Sequence, residues 1–404
     1  MKIGIVNLIT TSAHVLGDPL AMFHIHHLGP HTDAELNITV MARQLAERGN
    51  EVQVMVSDAY LPAEQACPSG NPMIKYLPTR MKALFPPALM PFTPSIVPLL
   101  RKQRFDIVQT GELFQTGTVL SWLGKGGSNT KLCVWQELDV LMRGPVGRLQ
   151  SIYYRSLGRA VMAGYALFIP RSLSARQHLL DVGIEEDLIG EVAHSGVNTS
   201  RFIPMARDEC RAALGIPADR KVILVASRLD PIKGLDILVQ AIAFLRKEVP
   251  ESLLVIQGHG PAQEELRGQI ARLGLEGSVM LITKKFPHEQ MPPLFNAGDV
   301  LAITSRTDLF PFTAVESISC GVPLATSFGR GLKTDIVDKG AGVMLRPDPE
   351  GMATDLADLL RDESRLRQLG QRGRDLAVRE FDFRVCADRL LGNYEVMLSG
   401  GCKG

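Results

Sequence analysis

Apolar runs of strand length alternate with amphipathic stretches of helix length along nearly the whole chain. That alternation restricts the chain to parallel α/β layers. In the first half, residues 2–7, 51–56, 106–110, 131–135 and 166–169 read as buried strands. Between the first two, residues 34–48 place Leu36, Val40, Ala42, Leu45 and Ala46 on one side of a helix, and Gly49 supplies its stop. The pattern restarts beyond a polar stretch that ends at Arg220. Residues 221–227, 253–257, 279–282, 299–303 and 322–326 read as strands, each followed by a loop and a helix. The expected fold class is α/β, two doubly wound sheets facing each other, hinged at His194-Ser195-Gly196-Val197-Asn198. A length of 404 residues also favours two domains.

Charge and composition remove several function classes. Lys and Arg number 44 against 43 Asp and Glu, so bulk charge selects no nucleic-acid partner. With 45% hydrophobic and 22% charged residues the chain is too apolar for disorder. The 6 cysteines are scattered with no CxxC or Cys/His cluster, against a disulfide framework or structural zinc and for a reducing, cytoplasmic compartment. Residues 1–8 are too short an apolar run for a secretion signal and suit a first strand. Residues 83–100 are uncharged and near spanning length, but Pro86, Pro87, Pro91, Pro94 and Pro98 forbid a continuous helix there.

Local charge is more selective. No acidic residue occurs at 65–105, where Lys75, Arg80, Lys82, Arg101, Lys102 and Arg104 lie. The same holds at 140–180, with Arg143, Arg148, Arg155, Arg159, Arg171 and Arg176. These stretches read either as solvated faces or as a surface for an anionic acceptor or lipid headgroups, which would place the protein at the inner membrane face. Leu149, Ile152, Tyr153, Leu157, Ala160 and Val161 recur at helical spacing among the arginines, a stripe that ordinarily faces a core.

Ligands of open parallel sheets bind beyond the carboxyl ends of the strands. In the second half those ends carry Arg228 with Lys233-Gly234, then Gly258-His259-Gly260-Pro261, then residues 305–311 leading to a helix with Glu316, then residues 327–331. Two cations, glycine turns and a helix N-terminus suit a diphosphate. Asp308 and Glu316 could hold hydroxyls of a sugar and a ribose by charge-assisted hydrogen bonds. Singly, each feature also has a bland reading: surface charge, tight turn, or a carboxylate favoured near its own helix N-terminus. Their order at successive strand ends is what singles them out.

With those motifs in place, residues 196–383 resemble the nucleotide-binding domain of GT-B glycosyltransferases of family four, the retaining group. The basic pair is similar to Arg228 and Lys233, the GxGP turn to Gly258–Pro261, and the Glu-x7-Glu signature to Asp308 and Glu316 followed by Gly321-Val322-Pro323. Residues 195–202 look like the family's hinge motif NGVDxxRF, and 381–398 like its helix that crosses back onto the first domain. The chain departs in Asp308 for Glu, in Phe310-Pro311 for Phe-Gly, and in Thr32-Asp33 for a Gly-Gly turn, with Glu35 still matching. Gln136 stands where the family often has His, and an amide cannot act as a base. His24, His26, His27 and His31 read as loop histidines rather than a metal box.

The resemblance implies a GT-B architecture of two Rossmann-like domains about a central cleft: an acceptor domain at 1–195, a nucleotide-sugar domain at 196–383, and a return helix at 384–404. It implies retaining transfer of a hexosyl group from a UDP- or GDP-sugar to an acceptor hydroxyl on a glycan, small molecule or lipid-linked carrier. Catalytic positions are carried onto Asp308, Arg228, Lys233 and Gln136. Donor contacts are carried onto Gly258, Gly260, Lys285, Leu309, Phe310, Pro311, Phe312 and Glu316. No cofactor is expected beyond the nucleotide sugar as co-substrate, and the absence of an Asp-x-Asp motif in a suitable loop predicts metal independence. A sugar-nucleotide epimerase or phosphorylase of the same fold, and a non-catalytic nucleotide-binding protein, are the alternatives. A nicotinamide oxidoreductase lacks its full GxGxxG with a downstream acid.

Overall fold

Runs such as Ile3-Gly4-Ile5-Val6 and Ile223-Leu224-Val225-Ala226 are apolar on both faces, so they are stable only as central strands covered on both sides. The computed structural model describes residues 1–8, 37–60, 70–85, 89–142, 144–284, 286–306 and 310–400. The chain divides into two compact units, one of Met1–Gly196 with Phe383–Gly404 and one of Val197–Asp382.

The first unit holds β1 (Lys2–Val6), β2 (Glu51–Ser57), β3 (Met73–Leu77), β4 (Ile107–Gly111), β5 (Lys131–Gln136) and β6 (Leu167–Pro170), in the order β3-β2-β1-β4-β5-β6. Every pairing is parallel, with Ile5 opposite Val54 and Gln109. One face packs Ile3, Ile5, Val52 and Val54 against Cys386, Leu390 and Tyr394 of the terminal helix Phe383–Leu398. Tyr394 is fully buried and its hydroxyl donates to Gln109 Oε1 at 2.6 Å, while Arg48 pairs with Asp388 at 2.6 Å. The other face buries Val6, Met55, Val108, Val134 and Phe168. Truncating one such side chain to alanine costs about 2–5 kcal/mol.

The second unit holds β7 (Lys221–Ala226), β8 (Ser252–Gln257), β9 (Val279–Ile282), β10 (Val300–Ile303), β11 (Leu324–Thr326) and β12 (Gly342–Met344), ordered β12-β11-β10-β7-β8-β9 and again parallel. The chain runs outward from β7 to β9 and then returns to β10 on the other side of β7. The β7/β10 junction is therefore the topological switch point, where loops diverge and leave a crevice. At the opposite end of the same pair Asp299 binds the Val222 N–H at 2.6 Å, Arg207 at 2.7 Å and the buried Arg211 at 2.8 Å.

The sequence reading omits β3 and β12. Both are edge strands, one half-exposed and one of 3 residues, so neither shows a continuous apolar run. Residues 83–100 contain no long helix, but a short one, Ile96–Lys102, begins there with Pro98 in its first turn. Proline is tolerated at that place because first-turn N–H groups have no intrahelical partner. The helical reading of 34–48 corresponds to Asn37–Glu47, its first residues lying outside the described ones. Cys133, Cys210, Cys320 and Cys386 are free thiols, and among the described residues no helix is long and apolar enough to cross a membrane.

Candidate active site

At the switch point β7 gives way to a turn, Pro231–Lys233, capped by the Asp230 carboxylate accepting from the Ile232 N–H at 3.2 Å. Gly234 follows at φ +63 and starts the helix Leu235–Glu248. Thr304, at the end of β10, donates its hydroxyl to the Lys233 carbonyl at 3.1 Å and the Gly234 carbonyl at 3.3 Å. A Cβ on Gly234 would sit 2.2 Å from the Thr304 carbonyl oxygen, so this approach demands glycine. Arg306 completes the clamp. Its N–H donates to the Ile232 carbonyl at 2.7 Å and its guanidinium to the Pro231 carbonyl and, at 2.6 Å, to Asp236. Burial raises the Asp236 pKa, but the hydrogen bond and charge of Arg306 outweigh it and hold the carboxyl below its usual range.

Within this frame lies a concavity of about 270 Å³, its solvent-open mouth included. It is lined by the ends of β7 and β10, by Lys233, and by Pro311 and Thr313 at the start of the helix Phe312–Ser319. That helix has no side-chain cap and no acidic residue in its first turn, so its positive dipole end opens on the concavity that Lys233 also lines. Arg228, in the preceding loop, has Nε 3.5 Å from Asp230 and a side chain 45% exposed. Lys233 is half-buried.

Gly258 and Gly260 adopt φ +156 and +157. A Cβ on either would lie 1.8 Å from the Ser227 carbonyl oxygen or 2.3 Å from that of Leu229. These glycines therefore let the turn after β8 pack onto the backbone of the Arg228 loop, and the Leu229 N–H donates to the His259 carbonyl at 3.0 Å. Phe310 is half-buried with its ring 5.8 Å from that of Phe381, Pro311 stands at the N-cap position and Phe312 opens the helix. Asp308, Leu309 and Lys285, and the early histidines, lie outside the described residues.

Glu316 follows Thr313 by three residues, on the same side of the helix. It is 7% exposed, and its Oε1 lies 2.7 Å from His288 Nε2. The sequence reading misses His288, which lies in the loop beyond β9 and carries no local motif. Its ring packs against Phe202 at 5.2 Å between centroids. The Glu316 hydrogen bond raises the pKa of His288, partly offset by burial.

Gln136, expected among the catalytic positions, is held by bonds within its own unit. It belongs to the first unit, at the end of β5, and is fully buried. Its amide oxygen accepts from the Leu113 N–H at 2.9 Å, and its nitrogen donates to Glu112 at 2.8 Å and the Leu138 carbonyl at 2.9 Å. Both amide hydrogens and one of the two acceptor sites of Gln136 are thus engaged inside the unit. The ionisable group at that strand end is Glu112, at the unusual φ of +61. Its carboxylate also accepts from the N–H groups of Glu137 at 2.9 Å and Leu138 at 3.1 Å. Burial above all, then the charge of Glu137, pushes its pKa up to about 7 against the opposing pull of Arg171 and those N–H groups. Among the described residues no group of three or more His, Cys, Asp or Glu side chains is gathered for a metal ion.

Two parallel Rossmann-like sheets of these orders make the fold GT-B. HepE of Anabaena in complex with UDP superposes with a TM-score of 0.74 over 98% of this chain and 100% of that one, at 17% identity. The family model of glycosyl transferases group 1 matches residues 206–376, and the second unit carries a domain of that family. D-inositol 3-phosphate glycosyltransferase of Segniliparus rotundus is 31% identical over 216 residues, 52% of this chain and 48% of that protein. GDP-mannose-dependent alpha-(1-6)-phosphatidylinositol monomannoside mannosyltransferase of Mycolicibacterium smegmatis is 33% identical over 205 residues, 48% of this chain and 53% of that protein. The chain thus spans about half the length of the curated relatives it matches.

Proposed function

We propose that the protein is a retaining glycosyltransferase that moves a hexosyl group from a UDP- or GDP-sugar to an acceptor hydroxyl. The observation that carries this reading is the β7/β10 crevice within the group 1 domain, lined by Lys233 and by the start of a helix with no side-chain cap, with Arg228 in the loop that follows β7. The donor diphosphate lies against those groups, and Glu316, oriented by His288, accepts hydrogen bonds from the ribose. Asp308 and the residues about 309–312 hold the sugar, with Lys285 at the same ligand.

As the bond between the anomeric carbon and the phosphate oxygen breaks, positive charge grows on the sugar and negative charge on the leaving phosphate. Arg228, Lys233 and the helix N–H groups stabilise the latter, an effect worth about 3–4 kcal/mol per well-placed donor. The acceptor oxygen bonds to the anomeric carbon from the face the phosphate leaves, and its proton passes to the departing phosphate oxygen. Two fixed cations supply the charge neutralisation, so the reaction is proposed to run without a metal ion. The names of the relatives favour an acceptor of the inositol-phosphate or lipid-linked mannoside class, recognised by the first unit.

A thermal-shift panel of UDP, GDP, ADP and dTDP, followed by the matching sugar nucleotides, tests the reading. One nucleotide is expected to raise the melting temperature, since a hundredfold excess over Kd stabilises by about 2.7 kcal/mol. Lys233→Ala should leave the unliganded melting temperature unchanged and lower that affinity about 10- to 100-fold, the loss of a charge-assisted contact. A panel with no shift and no sugar transfer, or a Lys233→Ala protein that binds as wild type, would refute it.

A further inference from the structure

We infer that the first unit carries a docking face for an anionic lipid bilayer, built from the turn at 80–84 and the outer side of the helix Gly144–Arg155. All of residues 80–84 are exposed, Met81 by 57% and Leu84 by 66%, and Arg80 and Lys82 flank the methionine. The Met81 backbone sits at φ +52, a left-handed conformation that strains a non-glycine residue. The fold holds it there. Leu84 and Phe85 N–H groups both donate to the Met81 carbonyl at 2.9 Å, and Phe85 stacks on Phe92 at 5.0 Å. A large apolar side chain presented to water on a strained, fixed turn gains nothing inside this unit.

The second component is adjacent. Leu89 packs against Met142 and Val146, which joins the segment after the turn to the start of the helix Gly144–Arg155. On that helix Leu149 and Ile152, one turn apart, are 54% and 62% exposed, with Arg148 and Arg155 exposed beside them. The apolar stripe of the sequence thus splits: Val161 enters the core and Tyr153 packs against it, while Leu149, Ile152 and Leu157 are exposed. Both components come from the acid-free stretches 65–105 and 140–180, and the packing of Leu89 on Met142 and Val146 brings these two basic segments together. Apolar side chains ringed by arginine and lysine match the interface of a bilayer with anionic headgroups. A nucleic acid offers no apolar layer for Met81, Leu84 and Ile152 to enter. As a means of reaching a lipid-linked acceptor the face rests on the transferase reading; as a binding surface it does not.

The test is co-sedimentation of the full chain with phosphatidylcholine vesicles, with and without phosphatidylglycerol, at low and high salt. The wild type should pellet with the anionic vesicles at low salt and be released by high salt. Leu149→Ser with Ile152→Glu, and separately Arg148→Glu with Lys82→Glu, should each weaken that partition about tenfold or more. Their nucleotide-induced thermal shift, a property of the second unit, should stay at the wild-type value. Wild type that remains in the supernatant with both vesicles, or variants that pellet like wild type, would overturn the docking face and leave the transferase reading standing. Self-association abolished by the same substitutions, without vesicle binding, would reassign the face to a second copy of the chain and equally overturn it.

Discussion

Gly234→Ala probes how the fold sets the position of Lys233. The substitution has two costs that the structure separates. An alanine at φ +63 loses about 1–2 kcal/mol to left-handed backbone strain. Its Cβ would also stand 2.2 Å from the Thr304 carbonyl oxygen, about an ångström inside ordinary contact. Backbone of the β10 end or of the Pro231–Lys233 turn must yield, and such overpacking costs a further 1–3 kcal/mol or so. The expected loss is about 2–5 kcal/mol. Gly215→Ala is the matched control in the same unit: φ is +69, but no atom lies within 4 Å of the added Cβ. It should lose only the strain term of about 1–2 kcal/mol. Chemical denaturation of both variants gives the difference, and calorimetric titration with the nucleotide from the thermal-shift panel gives its functional consequence. Gly234→Ala should weaken nucleotide binding because Lys233 shifts with its turn, whereas Gly215→Ala should bind as wild type. Equal destabilisation by the two substitutions, or unimpaired binding by Gly234→Ala, would refute the claim that the Thr304 contact positions the lysine.

Two further expectations concern buried charge. Asp299→Ala strands Arg211, whose side chain is only 4% exposed, and should destabilise the protein by about 3–5 kcal/mol in urea denaturation; a loss below about 1 kcal/mol would contradict it. Glu112 has its folded pKa raised from 4.5 to about 7, so the folded state holds a proton that the unfolded state has released in that window. Its contribution to stability is full below pH 4.5 and is lost as pH rises through about 7. Glu112→Gln should therefore flatten the fall in melting temperature across that range, and a wild-type stability that rises there relative to the variant would exclude the assignment.

Much of the architecture is legible because strand and helix periodicities are local. Central strands such as β7 and β8 announce themselves by being apolar on both faces, whereas β3 and β12 escape because an edge strand has less to bury. The residues at the strand ends are legible for a related reason: in a parallel sheet every carboxyl end points to the same rim, so order along the chain becomes neighbourhood in space. Arg228, Lys233 and Pro311 follow that rule. Gln136 also lies at a strand end, and its bonds to Leu113, Glu112 and Leu138 are a part of its role that has no sequence signature. Gly258 and Gly260 have a packing role that spacing does not announce: a Cβ on either would strike the carbonyl oxygen of residue 227 or 229.

The amino-acid order by itself determined two successive α/β units and the strand ends that carry Arg228, Lys233 and the glycine turn; the reversal between β7 and β10 came from the observed strand order. These depend on alternation, strand handedness and chain direction, which short-range sterics enforce. Tertiary packing alone decided that His288 meets Glu316 across 28 residues, that burial raises the Glu112 pKa to about 7, and that Leu149 and Ile152 face outward while Tyr154 turns in. Each of those outcomes depends on which element packs against which. A helix can bury only part of its circumference, and the neighbour that covers it comes from a distant part of the chain.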